Sequence, residues 1–273
     1  MKKLLSLILA GSMLFSLAAC GDSSESKDDD SNKKNSSDIV ENNGGVGEEN
    51  DGFVADKGDF DADFSDTQVG DYITFGSYEQ DNDLSNGKEP IEWLVLDKQD
   101  GKVLVISKYA LDAKPYNDEY VDVTWETCTL RSWLNDEFIN EAFTSGEQAK
   151  IQPSIVTAEE NTSYDNDPGN ETQDKVFLLS VGEAEDYFYL DSERVCELTM
   201  YTEANIDMED HKSNCWWWLR SSGEFQNCAT FVRVNGSINY NGNEVYDYDY
   251  VNNYDDRVDI AGAAVRPAMW IEL

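Results

Sequence analysis

The residues able to do chemistry in this chain of 273 residues crowd into its last third. His211, the lone histidine, sits beside Asp210 and four residues before Cys215, a spacing that invites a Cys-His dyad. Nucleophilic catalysis needs the base within hydrogen-bond reach of the thiol and an oxyanion hole beside them. Nothing around Cys215 marks either, and Asp210, His211, Lys212 and Ser213 read as a solvated loop. Arg220 and Arg266 are embedded in aromatic or apolar stretches, where an unpaired guanidinium is costly. One reading is structural: a buried carboxylate or backbone carbonyls fix each arginine while its plane stacks on a tryptophan. The other has them grip a ligand carboxylate bidentately. Tyr246, Tyr248 and Tyr250 alternate with Asp247 and Asp249, and Asn252, Asn253, Tyr254, Asp255 and Asp256 follow. Tyrosines give rigid contact area with a hydrogen-bonding tip and asparagines adaptable donors and acceptors, which is why binding loops favour both. The carboxylates also offer oxygen ligands to calcium, although their spacing fits no EF-hand. Against these stands an acidic hairpin with tyrosines packed on one side and aspartates solvated on the other.

The element that must position these groups is Cys215-Trp216-Trp217-Trp218-Leu219-Arg220-Ser221-Ser222-Gly223, answered by Val265-Arg266-Pro267-Ala268-Met269-Trp270. Neighbouring side chains on a strand point to opposite faces, so either both faces are covered or an indole is displayed. Trp216 and Trp217 therefore join Tyr246, Tyr248, Tyr250, Asn252, Asn253 and Asp255 as candidate binding residues. Trp218, Arg220, Arg266, Trp270, Trp133 and Arg131 are the candidate scaffold.

Earlier in the chain, Asp71 to Tyr78 has a strand period, and Ile91–Leu96 and Val103–Ile106 flank the turn dipeptide Asp100-Gly101. Leu130, Trp133, Leu134, Phe138 and Ala142 form one helical stripe. Ser145 with Gln148, and Ser180 with Glu183, have capping-box spacing, the second for a helix through Tyr187. A second hairpin is expected from Ala229 to Tyr240 around Asn235-Gly236, with another turn at Asn241-Gly242. The final strand runs from about Ala264 to Ile271, with Pro267 at an edge or bulge because it has no N–H to donate.

Lys2 and Lys3 precede an apolar run from Leu4 to Leu17 that is too short to span a bilayer and reads as an export signal. It closes in Leu17-Ala18-Ala19-Cys20, which resembles a lipoprotein box with Cys20 as the lipidated mature N-terminus. Gly21 to Gln68 is polar, with 15 acids against 4 lysines, and reads as a disordered acidic linker. Such a tether places the domain on the order of 40 Å from a lipid anchor on the outer face of the cell membrane. From Val69 to Leu273 there are 41 acids against 14 bases, net −27. That excess repels nucleic acid and anionic headgroups, which recognise basic surfaces. Cationic partners remain open. Four further cysteines, Cys128, Cys196, Cys215 and Cys228, allow three disulfide pairings. Cys196 with Cys215 is one guess and buried thiols are the alternative; the spacing lacks the close pairs of a zinc site.

Trp125-Glu126-Thr127-Cys128-Thr129-Leu130-Arg131-Ser132-Trp133-Leu134-Asn135, Lys175–Ser180, Trp217–Ser221 and Val265–Ala268 together resemble an uncharacterised bacterial domain family, DUF6273, found in exported proteins. The closing Trp-Leu-Arg-Ser and Val-Arg-Pro strands are in turn similar to the end of C-type-lectin-like folds, including the formylglycine-generating branch. That likeness implies one α+β domain with two main helices, small twisted antiparallel sheets and long loops. The calcium and sugar signatures of animal lectins, Glu-Pro-Asn and Trp-Asn-Asp, are absent, so their chemistry does not carry over. The formylglycine-generating branch uses a cysteine pair near its last strands, which Cys215 and Cys228 would have to supply. The expected function is a lipid-anchored extracytoplasmic module binding a glycan, peptide or protein, without catalysis or cofactor. A formylglycine-generating-type enzyme and a purely structural envelope lipoprotein are the alternatives.

Overall fold

The computed structural model describes residues 63–206, 213–246 and 263–273. The export signal, Cys20 and most of the linker lie outside them. The chain first builds β1 (Tyr72–Tyr78), β2 (Glu89–Gln99) and β3 (Lys102–Ser107) as an antiparallel meander. Asp100 and Gly101 have φ of 50° and 75°, so both central residues of the turn are left-handed, as the strand twist requires. In β1 the alternation buries Ile73 and Phe75 until Gly76, at φ 71°, shifts the register and turns Tyr78 inward. A Cβ on Gly76 would lie 2.4 Å from the Phe143 ring, so the bulge needs glycine. The composition-based linker boundary at Gln68 is too late: Phe64 packs edge-on to Phe75 at 6.0 Å, and Lys98 Nζ donates to the carbonyls of Ser65 and Thr67 at 2.7 and 2.8 Å. One aromatic with a partner orders a stretch that its polar neighbours alone would not.

After β4 (Asp112–Lys114), α1 (Thr129–Trp133), a π-wound stretch (Leu134–Phe138) and α2 (Ile139–Ala142) run on without a break. Leu130, Leu134, Phe138 and Ala142, all buried, are spaced by four. An α-helix drifts over such a spacing, and the wider π turn brings the stripe back into line. α3 (Ser145–Lys150) follows, but its capping box is Thr144 with Glu147, one residue earlier than the sequence suggests. Next come β5 (Ile151–Gln152), β6 (Ser154–Val156), β7 (Thr172–Asp174), β8 (Val176–Phe177) and α4 (Val181–Tyr187), which starts at the expected Ser180–Glu183 box. Then α5 (Asp191–Arg194), β9 (Cys196–Glu197) and α6 (Met200–Asn205) lead to β10 (Asn214–Cys215) and β11 (Trp217–Ser222). The chain closes with β12 (Cys228–Val232), β13 (Ile238–Glu244), β14 (Ala263–Val265) and β15 (Ala268–Glu272). Gly236 makes the β12–β13 turn at φ 84°, whereas Asn241-Gly242 is a bulge inside β13 and not a second turn.

Two larger sheets result, one ordered β1-β2-β3-β15-β5 with β8 also on β15, the other β13-β12-β11-β14-β4. All described pairings within them are antiparallel except β11 with β14. The fold is thus α+β, with mostly antiparallel curled sheets and short helices. The expected single final strand is in fact two: β14 joins the β11 sheet through Trp217 and Ala264, and β15 joins the β3 sheet. Arg266-Pro267 is the crossing point, and the residue without an N–H stands where neither ladder needs one. Both faces of β11 are covered, since every one of its residues is buried.

Candidate functional site

The arginines occupy the joints of this framework. Arg220, on β11, grips both carboxylate oxygens of Glu183, at 3.0 Å to Oε1 and closer still to Oε2, and donates to the carbonyls of Leu178 and Thr157. Glu183 is also the capping residue of α4, so one carboxylate ties that helix to the central strand. Arg266 has no carboxylate partner among the described residues. Its Nε donates to Ser107 O at 2.9 Å, and its guanidinium lies 5.0 Å from the Trp217 ring and 5.6 Å from that of Phe188. The structural reading fits both, with the carboxylate at Arg220 and the indole at Arg266. A third buried arginine, Arg194, escaped the sequence reading; it pairs with Asp191 and caps the carbonyls of Gly236 and Phe188.

Trp217 is not a binding residue. Its side chain is fully buried and its Nε1 donates to Arg194 O at 3.0 Å, because the face expected to be open is covered by α5 and Arg266. Trp218 faces the other way and is equally buried, donating to Lys114 O at 2.9 Å. Trp216 is half-buried against Phe231 and Trp218, at 4.8 and 5.7 Å between ring centroids, at the edge of the core. Trp270 is half-buried on β15. Tyr248, Tyr250, Asn252, Asn253, Asp255 and His211 lie outside the described residues.

The four described cysteines are buried thiols. Cys196 and Cys215 face each other across β9 and β10, and the Cys215 Sγ donates to Cys196 O at 3.5 Å. Burial pushes the Cys128 thiol up to about 12. Cys228 opens β12, the strand whose Val232 stands opposite Trp217 of β11. Among the described residues Cys215 has Cys196 as its strand partner, not Cys228.

What the fold does assemble is a cleft of about 440 Å³ lined by Lys114, Pro115, Asp118, Thr129, Leu130, Ser132, Trp133, Asp136 and Glu137. Asp174, buried, builds its frame by accepting from Arg131 Nε at 2.7 Å, Trp125 Nε1 at 2.9 Å and Thr172 Oγ1 at 2.6 Å. Arg131 is thereby tied to a carboxylate on β7. The segment before α1 crosses the helix start, where Asn117 Oδ1 accepts from Thr129 N at 3.1 Å and Asp118 N donates to Thr129 Oγ1 at 3.0 Å. Trp133 packs on Phe138 at 5.4 Å and carries Lys114 Nζ at 4.7 Å from its ring centroid, so it both supports the fold and forms a cleft wall. Lys114 also approaches Asp112, whose carboxyl burial holds above its ordinary range against Lys114 and the Tyr78 hydroxyl. Asp118, Asp136 and Glu137 have no ion-pair partner among the described residues.

Two further hollows are present, the first sharing Asp118 with the cleft. One of about 510 Å³ is bounded by Asp118, Glu119, Tyr120, Val121 and Tyr246, and one of about 390 Å³ includes Asp122, Glu126, Asp167, Asn170 and Gln226. Tyr246 is the candidate tyrosine that reaches the first of them, beside Tyr120, which donates to Glu244 at 3.0 Å.

The DUF6273 family model, described only as a domain of unknown function, matches residues 100–273. The chain belongs to this family. The match spans the DUF6273 domain from the β2–β3 turn to the end of β15, and takes in the whole cleft. No curated protein and no solved structure matches the chain. No helix of the described DUF6273 residues is long and apolar enough to cross a membrane.

Proposed function

We infer that this chain is a lipid-anchored extracytoplasmic binding module, with a C-type-lectin-like arrangement of its closing strands, that takes a basic peptide or protein segment along the face beside α1. The observation that carries this reading is the cleft at Trp133, where three carboxylates face one lysine and lack ion-pair partners among the described residues. Unpaired carboxylates beside an aromatic wall suit Lys or Arg side chains, whose stems pack on the indole while their heads meet the acids. The net charge of the domain attracts the same partner at long range. Tyr120 and Tyr246 extend the contact, and the hollow that shares Asp118 gives it the length of an extended segment. Covered indoles and buried arginines keep the framework rigid, and the linker with lipid at Cys20 supplies display.

Binding of Lys- and Arg-containing peptide libraries to the mature chain tests the site. We expect affinity that falls steeply between low and physiological salt. The double substitution Asp136→Asn, Glu137→Gln should weaken it about tenfold with the fold intact. Salt-independent binding, or no effect of the double substitution, would contradict the assignment. Cys20→Ser tests the anchor separately: the chain should move from the membrane fraction to the medium and lose incorporation of a labelled fatty acid. A chain that stays membrane-bound after this substitution has another anchor.

A further inference from the structure

We propose that Glu79, Asp81 and Glu89, at the connection between β1 and β2, form a binding site for a hard divalent cation, with calcium the ion their donors suit. A carboxylate oxygen from each lies within 4.8 Å of the others. Two oxygens bound to one calcium ion at about 2.4 Å stand at most about 4.8 Å apart, so each pair lies within the span that one ion allows. A second observation points to the ligand. Glu79 is only 6% exposed, and its Oε1 is buried with no hydrogen-bond partner. Buried carboxylate oxygens are almost always satisfied, and an orphan calls for an ion or a proton.

The surroundings decide between these two. No arginine or lysine pairs with any of the three acids among the described residues: Lys88, the nearest in sequence, turns away to Glu141, whose Oε1 it meets at 3.3 Å. The loop is already shaped around the acids. Glu89 Oε2 accepts from Gln80 N at 2.8 Å and Asp81 N at 3.3 Å, and Asp81 accepts from Asp83 N at 2.8 Å and Asn86 Nδ2 at 2.7 Å. Asn82, at φ 62°, makes the left-handed bend that folds the chain back over Glu79. All-oxygen donors on a loop favour calcium over magnesium, which demands a stricter octahedron and keeps more of its water. Gln80 O accepts from Tyr201 N at 3.1 Å, so an ion here would also steady the start of α6.

The test is thermal melting of the mature chain, freed of metal by chelation, with calcium chloride added at constant ionic strength. Extracellular calcium modules bind in the range of about 10⁻⁴ to 10⁻³ M. At calcium a hundredfold above Kd, the midpoint should rise by roughly 5–10 °C. Glu79→Gln and Glu89→Gln should each abolish that rise, and Asp81→Asn gives the same readout if either fails to fold. A wild-type midpoint unchanged at about 10 mM calcium, or a rise that persists in the variants, overturns the proposal.

Discussion

Arg220→Ala is expected to cost about 3–5 kcal/mol of folding stability, the range for breaking one side of a buried pair. The side chain of Arg220 is 2% exposed and joins α4 through Glu183 to the carbonyls of Leu178 and Thr157. Removing it leaves the Glu183 carboxylate facing a cavity and both carbonyls without donors. Arg220→Lys should recover little, because one ammonium cannot serve a bidentate carboxylate and two carbonyls together. Arg220→Met with Glu183→Gln should be far milder than Arg220→Ala, since it removes the charge from both sides. Urea unfolding at unchanged m-value measures all three. A loss under about 1 kcal/mol for Arg220→Ala would show that the arginine does not hold the framework.

Trp217→Ala should be of similar size, about 3–5 kcal/mol. The indole is fully buried, its Nε1 bond to Arg194 O is lost, and Arg266 loses the ring that faces it. Arg266 has no carboxylate partner among the described residues, so part of the cost is a guanidinium left with fewer contacts in a dry site. Trp216→Ala, at a half-buried edge, should cost less than half as much. Equal losses at the two positions, measured by the same urea titration, would mean that the burial of the Trp run is not as described.

Local chemistry was readable where the partners are close in sequence. Asp100-Gly101 announces its turn, Ser180 and Glu183 their cap, and the stripe from Leu130 to Ala142 its helix. The chemistry that spans the fold was not. Glu183 reads as a capping residue, and nothing in its neighbourhood says that Arg220 will share it. Arg194 looks like an ordinary basic residue at a helix end until the β12–β13 turn arrives above it. An alternating pattern says that successive indoles part to opposite faces, but not that α5 and Arg266 cover the second face, so the sequence alone leaves Trp217 reading as a displayed residue. Helical period placed Trp133 on the inward stripe; where the neighbouring surface ends, and hence that its ring borders a cleft, depends on β4 and the segment before α1. Glu79 follows β1 directly, and nothing in its local sequence says that it is buried beside Asp81 and Glu89.

The central claim is that a rigid framework presents the face beside α1 to a basic partner. Hydrogen–deuterium exchange of the mature chain, with and without a bound Lys- and Arg-rich peptide, tests it most directly. Amides between Lys114 and Glu137, and around Tyr246, should exchange more slowly in the complex, while β3 and β11 stay as protected as before. Protection gained elsewhere, with residues 114–137 unchanged, would contradict the account.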